Sequence, residues 1–321
     1  MSNYNIIAKT SVELTGTDWL ELTHSFNTVF NKQLDEEHFK NKYLKTALKF
    51  SVHGFLLHKN HIVGMFSIIP RFYNFKGAEK LIGLGCDAFI LQNHRKDDFF
   101  LQEMAEAAYE ICKKHSINYL ISIPNPNAYP YWKTYGNWKD IAQLDYYILP
   151  YKISKILKTG GKLFDCMSML FFKTVVYSSR LLLSKSQHYQ DKKISLKRDA
   201  GFINQRYNDD YKIYKTCETG YFVVKEYKEE DIKTVYIIDC YPLSRFMLTK
   251  ALGQIIKDFE FDVILFIGKT DNSAPFYFVK VPKSKTPRVQ PFTGYLLTDE
   301  LEEDFLSISS WDISLANFDN R

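Results

Sequence analysis

The stretch of residues 82–140 constrains the fold most, because it predicts two strands joined by one long helix. Residues 84–91 form a largely apolar run between a glycine and polar turn residues, as expected of a strand. Apolar side chains then recur at helical spacing over residues 98–115, with carboxylates at the start and cations at the end. Residues 119–123 predict a second short strand that stops at Pro124. Parallel strands joined by a right-handed crossover through a helix indicate an α/β protein.

Before this stretch, the sequence predicts a strand, two helices and a β-hairpin. The first helix is expected to begin at Thr17 or Asp18, whose side chains can cap it, and to end near Asn31. The hairpin is expected to turn at residues 58–60. The other expected bounds are 5–8 for the first strand, 36–44 for the second helix, and 51–57 and 62–69 for the hairpin strands.

After this stretch, the order strand–strand–helix–strand appears again, which predicts an internal structural duplication. A strand at 144–149 is expected to close the first module, and the basic segment after Pro150 to mark a boundary. Residues 240–245, directly before the helix of the second copy, contain no glycine and so offer no glycine-rich loop that could bind a phosphate group. This copy is therefore predicted to be non-catalytic. Its expected elements are strands at 221–227, 234–239, 263–268 and 276–281 and a helix at 243–257.

These segments, in this order, resemble the GNAT-type N-acyltransferases, and more closely the double-GNAT proteins of surface-polysaccharide and amino-sugar biosynthesis. The resemblance implies an α/β fold of tandem GNAT-like domains, each a mixed central sheet flanked by helices, with a degenerate second copy. It implies a GNAT-like acyltransferase domain at 1–150, a basic and apolar helical connector at 151–197 and a degenerate GNAT-like domain at 198–321. The segments that carry it are the helices at 19–31 and 39–43, the hairpin HIVGMFSIIP at 61–70, the loop HRKDDF at 94–99, residues 123–125, the aromatic segment at 131–138, FINQRYNDDY at 202–211 and the closing segment at 309–321.

The loop at 94–99 stands where the resembling family holds the pyrophosphate of acyl-CoA. Backbone N–H groups at a helix N-terminus bind anions, and glycines let the backbone approach them closely. Lys96 and Asp98 replace the two glycines of the family pattern, so the loop either still binds the cofactor or carries Asp97 and Asp98 as ordinary helix caps. The cofactor-binding residues implied by the resemblance are Phe89, Ile90 and Leu91 through their backbone, the loop residues Arg95, Lys96, Asp97, Asp98 and Phe99, and Asn125.

Asp87 is the candidate general base, because a carboxylate in the middle of an apolar strand must be paired or have a raised pKa. The alternative is a structural aspartate that accepts hydrogen bonds from loop N–H groups. In the resembling family, a tyrosine four residues before a glycine protonates the departing thiolate. Alignment on Gly136 puts Trp132 at this position, so the flanking Tyr131 and Tyr135 become the candidate acids, and Trp132 is expected to pack under the sheet.

Composition narrows the choice of partners and compartment. The chain of 321 residues has a net charge of +5 without an arginine-rich face, which argues against a nucleic-acid partner. Five cysteines stand singly in apolar runs, which favours a reducing cytoplasm and argues against disulfides or a zinc site. His53, His58 and His61 lie close in sequence but lack carboxylates at ligand spacing, so no metal is expected.

Residues 163–184 form a strongly apolar segment, but Asp165, Lys173 and Arg180 interrupt it, which argues against a membrane span. We expect an amphipathic helix that packs between the modules. The alternative is peripheral contact at the inner face of the membrane, which the flanking lysines favour.

Acyl transfer, most simply of acetyl from acetyl-CoA or another acyl-CoA to an amine, is the function that the resemblance implies. The acceptor it implies is a small amine such as a nucleotide-linked amino sugar. Two alternatives stay open: a degenerate GNAT fold that acts as a binding or scaffold protein, and a Fem-like aminoacyl transferase that uses aminoacyl-tRNA.

Overall fold

A computed structural model describes residues 4–157, 161–182, 192–207, 209–216, 220–229, 231–270, 274–298 and 302–318. The elements of the first half are strands β1 (Tyr4–Thr10), β2 (Val52–His58), β3 (His61–Phe75), β4 (Ala78–Ile90), β5 (Tyr119–Ser122), β6 (Lys139–Gln143) and β7 (Asp145–Pro150), and helices α1 (Gly16–Phe30), α2 (Glu36–Leu44), α3 (Phe100–Lys114) and α4 (Ala128–Thr134). Those of the second half are helices α5 (Ile153–Leu157), α6 (Gly161–Leu182), α7 (Ala200–Arg206), α8 (Arg245–Asp258) and α9 (Glu303–Leu306), and strands β8 (Ile194–Leu196), β9 (Lys212–Lys215), β10 (Tyr221–Glu229), β11 (Ile232–Tyr241), β12 (Val263–Gly268), β13 (Val279–Lys280), β14 (Pro291–Leu296) and β15 (Trp311–Asp312).

The chain forms two compact units, and each is assembled from separate segments of the sequence. The first contains Met1–Gln143, Lys193–Arg206 and Gln290–Trp311, and the second contains Leu144–Lys192, Tyr207–Val289 and Asp312–Arg321. These limits differ from the expected contiguous domains at 1–150 and 198–321 and from the expected connector at 151–197. Helix α6 belongs to the second unit, and Lys193–Arg206 to the first.

The sheet of the first unit has the strand order β1-β2-β3-β4-β5-β14-β6, and β8 pairs with β3 at its side. Strands β4 and β5 are parallel, with α3 between them in sequence, as the predicted crossover requires. Strand β14 comes from near the end of the sequence and inserts antiparallel between β5 and β6.

The sheet of the second unit has the order β13-β7-β12-β11-β10-β9. Its parallel pair is β11 and β12, with α8 between them, so the strand–strand–helix–strand order of the first half is repeated. Strand β7 pairs antiparallel with β12. The expectation that this segment closes the first module is therefore wrong, although the strand itself is present. Each parallel pair thus has beside it an antiparallel strand from the other half of the sequence.

Helices cover both faces of the first sheet, and two adjacent residues of β2 show this alternation. His53 points toward α2, where its ring lies 4.7 Å from that of Tyr43. Gly54 lies under α3, so closely that a Cβ atom at this position would stand 1.8 Å from the Met104 carbonyl oxygen. Helix α3 buries Met104, Ala108 and other apolar side chains against the sheet, and its position also sets that of the loop before it.

Most of the predicted elements are confirmed within a few residues. Helix α1 begins earlier than expected, because Thr15 rather than Thr17 or Asp18 caps it: the Asp18 N–H donates to the Thr15 hydroxyl at 3.2 Å. The strand expected at 276–281 is reduced to Val279–Lys280. Strands β9 and β14 were not predicted.

No helix in the described part of the chain is long and apolar enough to cross a membrane. None of the four cysteines in this part, Cys86, Cys112, Cys166 and Cys240, forms a disulfide.

Candidate functional site

The parallel strands β4 and β5 separate at one end of the first sheet. Their pairing ends at Leu84 and Ile121, and the Ser122 hydroxyl donates to the Gly85 carbonyl at 2.9 Å just beyond it. Strand β4 continues to Ile90, while in the described ranges no strand pairs with this last part on the β5 side. The backbone along this edge is therefore available to an extended ligand, which can bind as an added strand does.

A β-bulge interrupts β4 at the start of this edge. Ser67 pairs with Cys86 and Met65 pairs with Phe89, so two residues of β4, Asp87 and Ala88, stand opposite one residue of β3. Asp87 has a φ of +51°, in the left-handed region that residues other than glycine seldom adopt. Such strain is common at functional sites.

Two side chains of α2 bind the Asp87 carboxylate. The Lys42 ammonium lies 2.6 Å from Oδ2, and the Tyr43 hydroxyl donates to the same oxygen at 2.7 Å. Burial alone would raise the pKa of Asp87, but the Lys42 charge and hydrogen bonds from Lys42, Tyr43 and Cys86 together hold this pKa below its ordinary value. Of the two states that the sequence allows, a paired carboxylate or one with a raised pKa, Asp87 therefore has the paired one.

A buried histidine extends this polar group across the sheet. His53 Nδ1 lies 2.8 Å from the Ser67 hydroxyl, and Nε2 lies 2.8 Å from the Ser11 hydroxyl. Ser67 also hydrogen-bonds Tyr43, whose pKa burial raises well above its ordinary value. Because His53 is fully buried, its pKa falls to about 3, and the imidazole is neutral at physiological pH. Ser11, His53, Ser67, Tyr43, Lys42 and Asp87 therefore form one hydrogen-bonded group, which we call the Asp87 network.

Sequence reasoning identified only Asp87 of this network. His53, His58 and His61 are close in sequence but have different partners in the structure. His61 Nδ1 lies 2.7 Å from Glu21, and the His58 ring lies 4.7 Å from the Tyr4 ring. No group of three or more metal-ligating side chains occurs in the described residues. The signal for the network was present, since a histidine and a serine occur at apolar strand positions, but the sequence does not show which residues face each other.

The loop before α3 is exposed, and two of its side chains bind nearby backbone groups. Asp97 Oδ1 accepts the Phe99 N–H at 2.9 Å, and the helix begins at Phe100. Asp98 points its carboxylate to solvent. Arg95 folds back, and its Nε donates to the Ile90 carbonyl at 2.9 Å. Asp97 thus binds the N–H of Phe99, the N-cap residue, and no side chain caps the helix from that position. The Ile90 carbonyl is already engaged.

Tyr131 closes the same helix end. Its hydroxyl donates to the Asp98 carbonyl at 2.6 Å and accepts the Gln102 N–H at 3.1 Å. Burial raises the pKa of Tyr131 above its ordinary value. Tyr135 is more exposed, and its ring contacts the ring of Phe99 edge-on, with centroids 6.0 Å apart. The Tyr131 hydroxyl thus has a structural role, whereas no side chain or backbone group of the described residues binds the Tyr135 hydroxyl.

The remaining predicted positions have clear packing roles. Trp132 is buried against Phe66, with ring centroids 5.0 Å apart, as expected of a residue under the sheet. Asn125 Oδ1 accepts the N–H groups of Asn127 and Ala128 at 3.0 and 2.9 Å and so begins α4. The Phe89 side chain packs against α1, and the Leu91 N–H donates to the Val63 carbonyl at 2.8 Å.

The second unit has a comparable aspartate but a different environment around it. Asp239 of β11 is buried, and it accepts the Tyr221 hydroxyl at 2.7 Å and the Ser314 hydroxyl at 3.2 Å. The following helix α8 is capped by its own Ser244, whose hydroxyl accepts the Met247 N–H at 3.2 Å. The Ser244 hydroxyl thus occupies a backbone N–H group that an anion site at this helix end would need.

Solved structures similar to this chain have the fold of GCN5-related N-acetyltransferases. A GCN5-related N-acetyltransferase from Anabaena variabilis aligns over 92% of this chain and 73% of its own length, with a TM-score of 0.59 and 11% identity. A probable N-acyltransferase of unknown function from Enterococcus faecalis aligns over 95% of this chain and 74% of its own, with a TM-score of 0.59 and 11% identity. A GCN5-related N-acetyltransferase from Kribbella flavida aligns over 91% and 72%, with a TM-score of 0.56 and 9% identity.

Neither the models of known protein families nor the curated proteins gave a match to this sequence. At such low identity the structural similarity establishes the fold alone, and it confirms the predicted mixed α/β architecture, with two sheets flanked by helices.

Proposed function

We propose that the protein is an acyl-CoA-dependent N-acyltransferase whose active site lies along the free edge of β4. The observation that carries this proposal is the separation of β4 from β5 beyond Leu84, with the bulged Asp87 on the open edge. An extended acyl-pantetheine arm can hydrogen-bond to the backbone there. Acetyl-CoA is the simplest donor, and the GNAT fold of the similar structures supports this class of cosubstrate.

In the proposed reaction, the amine attacks the thioester carbonyl carbon, a C–N bond forms and the C–S bond breaks. A backbone N–H of the β4 edge stabilises the developing oxyanion. The Asp87 carboxylate is held ionised by Lys42, so it orients the amine by accepting a hydrogen bond. Since its lowered pKa makes it a weak base, water removes the proton from the amine.

Protonation of the departing thiolate is not assigned to Tyr131 in this proposal, because that hydroxyl is engaged at the start of α3. Tyr135 keeps a free hydroxyl near the same helix end and is the candidate donor, with water as the alternative. The acceptor proposed here is an amino-sugar amine, on the resemblance to double-GNAT proteins alone, and a cytoplasmic location stays a prediction from the cysteine distribution.

A second candidate function, a binding or scaffold protein with a GNAT fold, is favoured by the state of the α3 N-terminus. The Phe99 and Gln102 N–H groups already donate to Asp97 and Tyr131, and the exposed Asp98 adds negative charge. The engaged N–H groups and the negative charge disfavour binding of a pyrophosphate at this helix end. No observation in the described residues favours the aminoacyl-tRNA alternative.

Calorimetric titration with acetyl-CoA and with free CoA distinguishes the two candidates. We expect binding in the micromolar range that weakens with salt and weakens further in Arg95→Ala, because this cation lies beside the proposed pyrophosphate position. Asp98→Asn is expected to tighten binding several-fold, since it removes a charge without changing the backbone. Lys114→Ala, at the opposite end of α3, is the matched control and is expected to bind like wild type. Absence of binding in wild type and in Asp98→Asn would favour the scaffold function.

A further inference from the structure

Helix α6 of the second unit has 22 residues and is buried along only one side. Phe172 and Val176 enter the core of this unit, where they pack with residues of α8 and the sheet. Ser168 continues the same side, and its hydroxyl donates to the Tyr151 carbonyl at 2.8 Å. The buried side of α6 therefore packs entirely against residues of the second unit.

The outward side of α6 carries large apolar side chains at helical spacing. Seven of them are between 54% and 88% exposed, which a structural role in this unit does not explain. They fall on one stripe, because the positions recur at three, four and seven residues. We call this stripe the α6 apolar face, and it consists of Leu163, Phe164, Met167, Leu170, Phe171, Leu181 and Leu182.

Cations border the α6 apolar face along one side. At 100° per residue, Lys162, Lys173 and Arg180 fall on the same flank of the helix, and both lysines are exposed. The one acidic residue of α6, Asp165, lies on the inward side, where its carboxylate accepts the Ser154 N–H at 2.9 Å. The outward surface therefore combines apolar and positive groups without a compensating carboxylate on the helix.

We propose that α6 docks on a lipid bilayer that contains anionic headgroups, with its axis in the plane of the interface. An interfacial helix has this pattern: apolar side chains enter the acyl boundary while lysines at the border extend to the headgroups. No helix of the described chain can span a bilayer, so the contact is peripheral. The positive charges beside the α6 apolar face favour an anionic lipid surface over an uncharged apolar partner. A second copy of this chain is disfavoured as the partner, because it would carry the same positive charges to the contact.

The test uses the full-length protein and co-sedimentation with vesicles of phosphatidylcholine alone or mixed with an equal amount of phosphatidylglycerol. Wild type is expected to bind the anionic vesicles, and binding should fall at high salt. Phe164→Ser combined with Phe171→Ser should weaken binding by about a hundredfold, since each buried phenyl group contributes about a tenfold factor. Lys162→Gln combined with Lys173→Gln should remove the preference for anionic vesicles.

The matched control is Phe276→Ser, because Phe276 is 80% exposed in the same unit but lies outside α6. This variant is expected to bind vesicles like wild type. All the substituted side chains are exposed, so circular dichroism should show an unchanged fold in each variant. Equal vesicle binding by wild type and the double phenylalanine variant would overturn the proposal. The proposal would also be overturned if wild type formed a dimer, the double phenylalanine variant did not, and neither protein bound vesicles.

Discussion

The Lys42 ammonium and the Asp87 carboxylate lie 2.6 Å apart, and each side chain is 15% exposed or less. Helix α2 brings the lysine to a bulge in β4, so the pair joins the helical layer to the open edge of the sheet. Removal of one partner from a buried ion pair is strongly destabilising, because it leaves the other charge buried without a counter-charge. This pair keeps Asp87 ionised at a place where the proposed reaction needs a hydrogen-bond acceptor.

Lys42→Met is expected to lower the free energy of unfolding by about 3 kcal/mol at neutral pH, because it leaves a buried carboxylate without its counter-charge. The pKa of Asp87 should then rise above its ordinary value. In wild type the lowered pKa contributes stability at pH values above the unfolded pKa of about 3.9, and this contribution is lost as pH falls from there through the lower folded pKa. The deficit of the variant should therefore shrink at acid pH. Urea unfolding at neutral and acid pH measures both effects.

Lys40→Met is the matched control, since Lys40 lies on the same helix in a more exposed ion pair with Glu36. It is expected to change stability by less than about 1 kcal/mol. Adding Asp87→Asn to Lys42→Met should recover part of the lost stability. An equal loss in both lysine variants would contradict the role given to the Lys42–Asp87 pair.

His53 makes the stability of the first unit depend on pH. Its folded pKa of about 3 lies below the unfolded value of about 6.5, so the unfolded state binds the proton first. The contribution of neutral His53 to the free energy of unfolding is therefore complete above pH ~6.5. Below this pH it is lost at about 1.4 kcal/mol per pH unit. Between the unfolded pKa and pH ~5, wild type should lose about 2 kcal/mol from this group.

His53→Gln keeps an amide for Ser11 and Ser67 but removes the titration, so its stability should vary less over the same pH interval. The control is His61→Gln, on an imidazole whose side chain is 73% exposed, and it should keep the wild-type dependence. Guanidinium unfolding curves across this interval give the slopes directly. Parallel slopes for wild type and His53→Gln would show that the buried imidazole is not the group responsible.

The strand–helix–strand unit of residues 82–140 could be predicted because its signals are local: an apolar run, helical spacing and a proline stop. Strand β14 could not be predicted as part of this sheet, because it pairs with β5 across about half the chain, as the Thr293 hydroxyl donating to the Ser122 carbonyl shows. Local pattern identifies a strand but not its partner. For the same reason, the strand at 144–149 was assigned to the first module, although it pairs with β12 of the second sheet.

The candidate site was predictable in its centre but not in its surroundings. Asp87 was identified from the mismatch between a carboxylate and an apolar run. Its partners Lys42 and Tyr43 occupy an ordinary helix in the sequence, and only tertiary packing brings them to the bulge. The lowered pKa follows from these partners, so the sequence could not decide between a paired carboxylate and one with a raised pKa.

Tyr131→Phe tests whether this hydroxyl is structural. We expect a loss of about 1 kcal/mol in the free energy of unfolding, because the Asp98 carbonyl and the Gln102 N–H lose their partner near the surface. Acyl transfer, if present, should keep kcat within a few-fold of wild type. Tyr135→Phe should leave stability unchanged and lower kcat if its hydroxyl protonates the thiolate. Thermal unfolding and steady-state kinetics separate the two roles, and a large loss of kcat in Tyr131→Phe alone would reverse the assignment.

The close approach of α3 to β2 depends on Gly54, which has no side chain facing the helix. A Cβ atom there would stand 1.8 Å from the Met104 carbonyl oxygen, and backbone cannot move aside as a flexible side chain can. Gly54→Ala is therefore expected to cost about 3 kcal/mol or more in the free energy of unfolding, at the upper end of overpacking effects. Gly16→Ala is the control, since a Cβ atom there meets nothing within 4 Å and alanine favours the helix that begins at this residue. Chemical denaturation of the two variants gives the comparison, and because α3 carries the loop at 95–99, Gly54→Ala should also weaken any binding of acetyl-CoA. A Gly54→Ala protein as stable as the Gly16→Ala protein would mean that the helix can move away from the strand without loss of packing.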